Sequence, residues 1–299
     1  MKERILNIET VHQCNCCLGC KTLHPLVSVI DLSKSNLEQQ IIKFDFYTIL
    51  MMEGEIDDIL YGRKYYDYSN ASLVFLTPGE SIKINKSKAL PSKGWLLAFH
   101  PDLISQTSLG EHIKDYSFFF YNPEEALHLS QREKAKAVEC ICNIEEELRH
   151  AIDCHSQILI SRYIELLLDH CNRFYERQFI TRCEANKKIM KKTDVLLKDY
   201  ILSGKLKYNT SPSLGYCAKI LQLSSHYFND LLKFESGKNI DEYFESKRLE
   251  MAKSMLLDSN NTLRKNWDTP IYDTLAVYLK ELPEWLRIIT DSHRIRNFF

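Results

Sequence analysis

The 299-residue chain contains no apolar run near the roughly 18 residues that a membrane-spanning helix needs. Its opening, MKERILNIETVHQ, lacks the apolar core of a signal peptide. No glycine-rich loop of the kind that cradles phosphate is present, and no local Ser/His/Asp or Cys/His set marks a nucleophile. Low-complexity segments are absent, and residues 1–262 hold no internal repeat. Ten cysteines are too few for a dense disulfide framework in so long a chain, and Cys171 and Cys217 fall inside helical patterns, where a thiol acts as a small apolar filler. These absences argue against a membrane partner, leave a reducing cytoplasmic compartment as the expectation, and give no cofactor and no reaction to assign.

What is present is an ordinary globular composition. At 44% apolar residues the chain can bury a sizeable core, and at roughly 100–200 residues per domain it holds two units. The formal net charge of −1 conceals a division: residues 1–180 carry 19 Lys/Arg against 25 Asp/Glu, whereas residues 181–262 carry 14 against 10. An acidic front and a mildly basic back point weakly to the back as the place for a polyanion.

Between Leu26 and Leu103 the runs LVSVIDLS, FDFYTILMM, SLVFLTPG and WLLAFHPDL are short, β-rich and punctuated by turn residues, which predicts a small β-barrel or jelly roll over residues 1–122. After Ser130 the period changes. A helix is expected over Gln131–Ile152, with Val138, Ile141, Ile144, Leu148 and Ile152 at three- and four-residue steps and Glu145 among them, and a second over His155–Arg177 with Ile158, Tyr163, Ile164, Leu167 and Phe174. This hairpin, within residues 123–180, either packs on its own barrel or offers a stripe to a second subunit. The polar, basic TRCEANKKIMKKTD reads as a linker, and with a lead-in helix it fills residues 181–210.

Residues 211–263 carry the functional signal. A helix over about Leu214–Gln222 has the small Ala218 where a close crossing needs one, Leu223 makes the turn, and Ser224 caps a second helix that Gly237 ends. Phe228, Leu231 and Leu232 face inward, which leaves Ser225, His226, Asn229, Asp230 and Lys233 outward. Two short helices with a tight turn form a helix-turn-helix, whose second helix enters the DNA major groove. There Asn reads adenine, Ser and His donate to bases or phosphates, and Lys233 suits phosphate, while Asp230 repels it unless it accepts from cytosine or lies at the rim.

The pattern formed by Tyr216, Cys217, Ala218, Leu221, Leu223, Ser224, Tyr227, Phe228, Leu231, Lys233 and Gly237, followed by Tyr243, Arg248, Ala252, Met255 and Leu256, resembles the first helix-turn-helix and connecting helix of the AraC/XylS family of bacterial transcription regulators. TLHPLVSVIDLS, YGRKYYDYSNASLVFLTPGE and GWLLAFHPDL are similar to the cupin-like sensor domain of such regulators, so the resemblance covers about residues 5–263. It implies an α+β protein with an N-terminal cupin-like β-barrel, a dimerising helical hairpin and a C-terminal all-α helix-turn-helix domain. It implies promoter DNA, a second copy of the chain and RNA polymerase as partners, an effector of unknown identity, and Arg248 beside the outward residues of the second helix as DNA contacts. A remnant that dimerises or binds a ligand but has lost DNA binding is the alternative. A cupin enzyme is a third reading, but it would need a strand-borne His/His/Glu metal set, and His24 and His100, each before a proline, do not supply one. CNCCLGCKTLH places Cys14, Cys16, Cys17, Cys20 and His24 close enough to consider zinc, yet without the two separated pairs of a structural site; ordinary barrel-entry residues are the other reading.

The family continues with I-A-x-x-L-G-F/Y, F-S-R-x-F-K-R and G-x-T-P-x-x-Y-R, and residues 264–299 have none of these. When the third base of each codon is read with the first two of the next, allowing all synonymous codons, Leu275–Asp291 permit S-R-L-F-K-R-T-T-G-M-A-P-N-N-Y-R and Asn266–Leu275 permit L-G-Y-x-N-L-R-H-F. Several matches are nearly forced: Trp267 followed by Asp268 yields glycine, and Glu284 followed by Trp285 yields only methionine or valine. The expectation is a small deletion, not a multiple of three, near Leu263–Lys265, which removed part of the I-A-x-x approach and left residues 264–299 as an aberrant tail in place of the second helix-turn-helix. As protein, DTLAVYLKELPEWLRII retains the spacing of an amphipathic helix without having been selected as one. The gene's nucleotide sequence checks this: it should spell the second motif in the alternative frame, and a gene that does not removes the frameshift.

Overall fold

The computed structural model describes residues 5–34, 41–53, 62–65, 67–83, 93–203 and 211–257. The chain divides into two compact units, Met1–Glu184 and Ala185–Phe299. The expected tail, 264–299, and the end of the expected connecting-helix segment at Leu263 lie outside the described residues.

The first unit is built on strands β1 (Ile5–Ile8), β2 (Val27–Asp31), β3 (Ile41–Phe44), β4 (Tyr47–Met52), β5 (Ala71–Leu76), β6 (Ser81–Lys83), β7 (Gly94–Phe99) and β8 (Leu127–Leu129). Its helices are α1 (Val11–Cys17), the short α2 (Pro101–Ile104) and α3 (Ser108–His112), then α4 (Gln131–Glu147) and α5 (Ser156–Thr181). The strands form a three-stranded sheet in the order β1-β3-β6 and a five-stranded sheet in the order β2-β7-β4-β5-β8. Among the described residues the sheets are not closed into a barrel, which corrects the expected barrel: the fold is mixed α+β with two open sheets.

Side-chain alternation shows why. In β4, Ile49 and Met51 enter one core and Leu50 and Met52 another; in β5, Leu73 and Phe75 enter the first and Val74 and Leu76 the second; in β7, Leu97 and Phe99 are divided from Leu96 and Ala98 in the same way. The first core is completed by α4 and α5, the second by Ile8, Ile42, Phe44 and Ile82 of the small sheet. A sheet covered on both faces reads as continuous apolar runs rather than as an alternation. FDFYTILMM, read as one strand, is the end of β3, a turn and β4.

At the β8 edge of the five-stranded sheet, helix side chains meet the backbone. Gln178 of α5, buried, accepts from the backbone N–H of His128 through Oε1 at 2.8 Å and donates from Nε2 to the carbonyl of Ala126 at 3.0 Å. Arg177 adds a bond from Nη2 to the carbonyl of His128 at 2.7 Å. Two side chains of a helix therefore satisfy the backbone of β8 as a further strand would.

The hairpin is antiparallel, since Glu133 in the first turn of α4 meets Arg177 near the end of α5 through two bonds of 2.9 and 2.8 Å. Ser130 caps α4 in a reciprocal capping box with Glu133. The helix stops at Glu147, so Ile152, expected in its stripe, lies beyond it and is exposed. Ile158 is also exposed, because Ile160, Ile164, Leu167, Leu168 and Cys171 set the inward face of α5.

The residues read as a linker are helical. The helix α6 (Cys183–Leu202) leads into the second unit, which continues with α7 (Leu214–Leu221), α8 (Ser225–Ser236) and α9 (Ile240–Leu257). Leu197, Tyr200 and Ile201, spaced for one helical face, join Cys217, Ala218, Phe228, Leu232, Ile240 and Phe244 in its core.

Replacing Gln178 with alanine leaves the buried N–H of His128 in β8 and the buried carbonyl of Ala126 just before it without their partner, at a cost on the order of 2–4 kcal/mol. Denaturant unfolding should register that loss, and an unchanged midpoint would mean that the edge is held by other means.

Candidate nucleic-acid interface

The second unit is assembled from capped helices. In α6, Asp194 accepts from the Tyr243 hydroxyl at 2.7 Å and pairs with Lys247 at 3.2 Å, which joins α6 to α9. Burial first, and then the hydrogen bond and charge of Asp194, hold the Tyr243 hydroxyl well above the ordinary tyrosine range.

Ser213 starts α7 by accepting from the Tyr216 N–H at 3.2 Å. At the other end Gln222 adopts φ 59°, ψ 40°, and the carbonyls of Ala218 and Lys219 accept from Leu223 and Gln222 at 3.0 and 3.2 Å. This is a complete Schellman closure, made with glutamine where glycine is usual. The connection to α8 is therefore Gln222–Ser224, and Ser224 caps α8 by accepting from Tyr227 N–H at 3.1 Å. Gly237, at φ 68°, closes α8.

Cys217 and Ala218 are buried against α8, and Gly215 lies beside Ser225, where an added Cβ would stand 3.8 Å from Oγ. Burial pushes the Cys217 thiol up to about 11, in keeping with a packing role. Phe228, Leu231 and Leu232 face the interior as expected, and Tyr227 joins them. On the opposite side His226 and Lys233 are exposed, and Ser225, Asn229 and Asp230 are half-buried. The Asn229 amide donates to the Asp230 carboxylate at 3.2 Å, so the acidic residue on this face orients the neighbour best suited to reading a base.

Arg248 sits in α9 rather than on this face. Its side chain is 11% exposed and its Nη1 donates to Glu245 at 2.8 Å, so a phosphate would have to displace that ion pair. Charge across 214–257 is balanced, with Lys219, Lys233, Lys238, Lys247, Arg248 and Lys253 against Asp230, Glu235, Asp241, Glu242, Glu245 and Glu250. Attraction to phosphate in this stretch therefore rests on placement and not on net charge.

The other candidates resolve into local roles. His24 and His100 both use Nδ1 to accept from the N–H two residues on, Leu26 at 3.1 Å and Asp102 at 3.2 Å, each across the intervening proline. Cys14 is buried, Cys16 and Cys17 are exposed and Cys20 is half-buried. Among the described residues no group of three or more His, Cys, Asp or Glu side chains could hold a metal ion, and no helix is long and apolar enough to cross a membrane. The sequence reading missed one pair, His12 and Cys16, whose i, i+4 spacing was its only signal.

No family model, no curated protein and no solved structure matches the chain.

The turn allows a direct test. A left-handed residue with a side chain costs about 1 kcal/mol relative to glycine, so Gln222→Gly should stabilise the second unit by about that amount in thermal or denaturant unfolding. A loss of stability would show that the glutamine side chain outweighs its backbone strain.

Proposed function

We propose that the chain is an AraC-type transcription regulator that binds promoter DNA through α7, the three-residue turn and α8. The observation that carries this reading is the two-helix unit itself: serine caps at both starts, a closed turn, an apolar inner face and a polar outer face made of Ser225, His226, Asn229, Asp230 and Lys233. In this reading α8 lies in the major groove. Lys233 and the exposed His226 meet phosphate and position the protein, while Asn229, held by Asp230, presents its amide to a base edge. Arg248 contributes once its bond to Glu245 opens. The product of the interaction is recruitment or exclusion of RNA polymerase, and no chemical step is involved.

The strands of the first unit are the cupin-like sensor in this reading, with an effector that remains to be identified by binding. A second copy of the chain is supported by exposed Leu159, Leu166 and Ile180 on α5, which fall at seven- and fourteen-residue steps, the spacing of a helix–helix seam.

A second reading, a remnant that dimerises or binds a ligand with impaired DNA binding, is favoured by two observations. The segment where a second reader belongs permits that reader in another frame when all synonymous codons are allowed, and charge across 214–257 is balanced. Losing one of two groove contacts removes a large share of the roughly 4–10 kcal/mol that separates specific from non-specific binding.

Binding to the gene's own promoter region at fixed salt distinguishes them. Under the first reading the chain as it stands binds specifically, Lys233→Ala weakens all sequences alike and lowers the salt slope by about one, and Asn229→Ala relaxes discrimination at one position. Under the second, specific binding appears only after the frame is restored, with a gain of at least about tenfold. Specific binding that Asn229→Ala leaves unchanged rules out this reading face.

A further inference from the structure

The short helix α1 carries a polar relay that the DNA-binding reading does not use. Asn15 is completely buried, a position that an amide tolerates only with its hydrogen bonds made. Its Oδ1 accepts from Ser28 Oγ of β2 at 2.6 Å, and its Nδ2 donates to Thr22 Oγ1 at 3.1 Å. Thr22 Oγ1 in turn stands 2.9 Å from Nδ1 of His12, and the other ring nitrogen, Nε2, is 3.6 Å from Sγ of the exposed Cys16. Both ends of α1 are fixed: Thr10 and Gln13 form a capping box, and Gly19, at φ 69°, allows the N–H of Cys20 to reach the carbonyl of Asn15 at 2.8 Å. A thiol, an imidazole within reach of it and a third group orienting that imidazole are the components of an activated sulfur nucleophile.

We propose that Cys16 is a nucleophilic thiol served by His12, and that it captures electrophiles of the conjugated-carbonyl class as covalent adducts. In the tautomer with the proton on Nδ1, which donates to Thr22, His12 Nε2 receives the Cys16 thiol proton. The sulfur then forms a bond to the β-carbon of the electrophile as the carbon–carbon π bond breaks, and the resulting enolate takes the proton back from the imidazolium at its α-carbon. Atoms and electrons balance with no leaving group and no oxidant. Asn15 and Ser28 act as positioning residues through Thr22. This site belongs to the first unit and does not depend on the chain binding DNA.

The helix supplies its own comparison. Cys17 is also exposed, but its neighbour one turn back is Gln13 and not an imidazole. Cys14 is buried, and burial, then Cys17 and Cys20, push its thiol up to about 12. Brief treatment of the reduced full-length protein with substoichiometric N-ethylmaleimide, followed by tandem mass spectrometry, reads the adduct on each residue. Cys16 should be modified at least about tenfold faster than Cys17, and His12→Gln should bring it down to the Cys17 rate while the circular dichroism stays unchanged. Thr22→Val should give an intermediate rate. Equal modification of Cys16 and Cys17 in the unaltered protein overturns the proposal, as does an undiminished Cys16 rate in a folded His12→Gln variant.

Discussion

The amide of Gln178 joins the edge of the large sheet to the helix that covers it. By bonding both the N–H of His128 and the carbonyl of Ala126, it lets β8 end the five-stranded sheet without a further strand. The same helix turns Ile164, Leu167, Leu168 and Cys171 into the core. α4 follows, tied to α5 by Glu133 and Arg177. An open sheet thereby acquires a protected edge, and the three layers of small sheet, large sheet and helices stack around it.

The same logic marks what was legible in the sequence. Strand positions were, because Val27–Asp31, Ala71–Leu76 and Gly94–Phe99 are apolar runs bounded by turn residues, and α4 was, because Ser130 announces its start. The open topology was not. A glutamine that replaces a strand has no periodicity, and its meaning appears only when β8, fifty residues earlier, lies beside it. Composition misled at 181–194: lysines dominate there, yet Asn186 and Thr193 are buried and Asp194 holds Tyr243, contacts made by residues distant in the chain.

In the second unit, the inward and outward sides of α8 were legible residue by residue, since capping serines and the phase of Phe228, Leu231 and Leu232 determine which side chains point away. What periodicity leaves open is how those side chains are engaged. Asn229 is held by its neighbour, and Arg248 is occupied by Glu245 one turn away. Outward position and availability are separate properties, and only the second depends on the ion pairs that the fold happens to form.

The two-faced burial of the central sheet has a consequence for how this chain tolerates variation. All six residues of β5 are buried, and β4 and β7 are nearly so, so these strands have no side that meets water. A substitution there is constrained in polarity on every position and in volume by two cores at once. Substitutions that leave the sheet undisturbed are therefore channelled to the outer surfaces of α4 and α5.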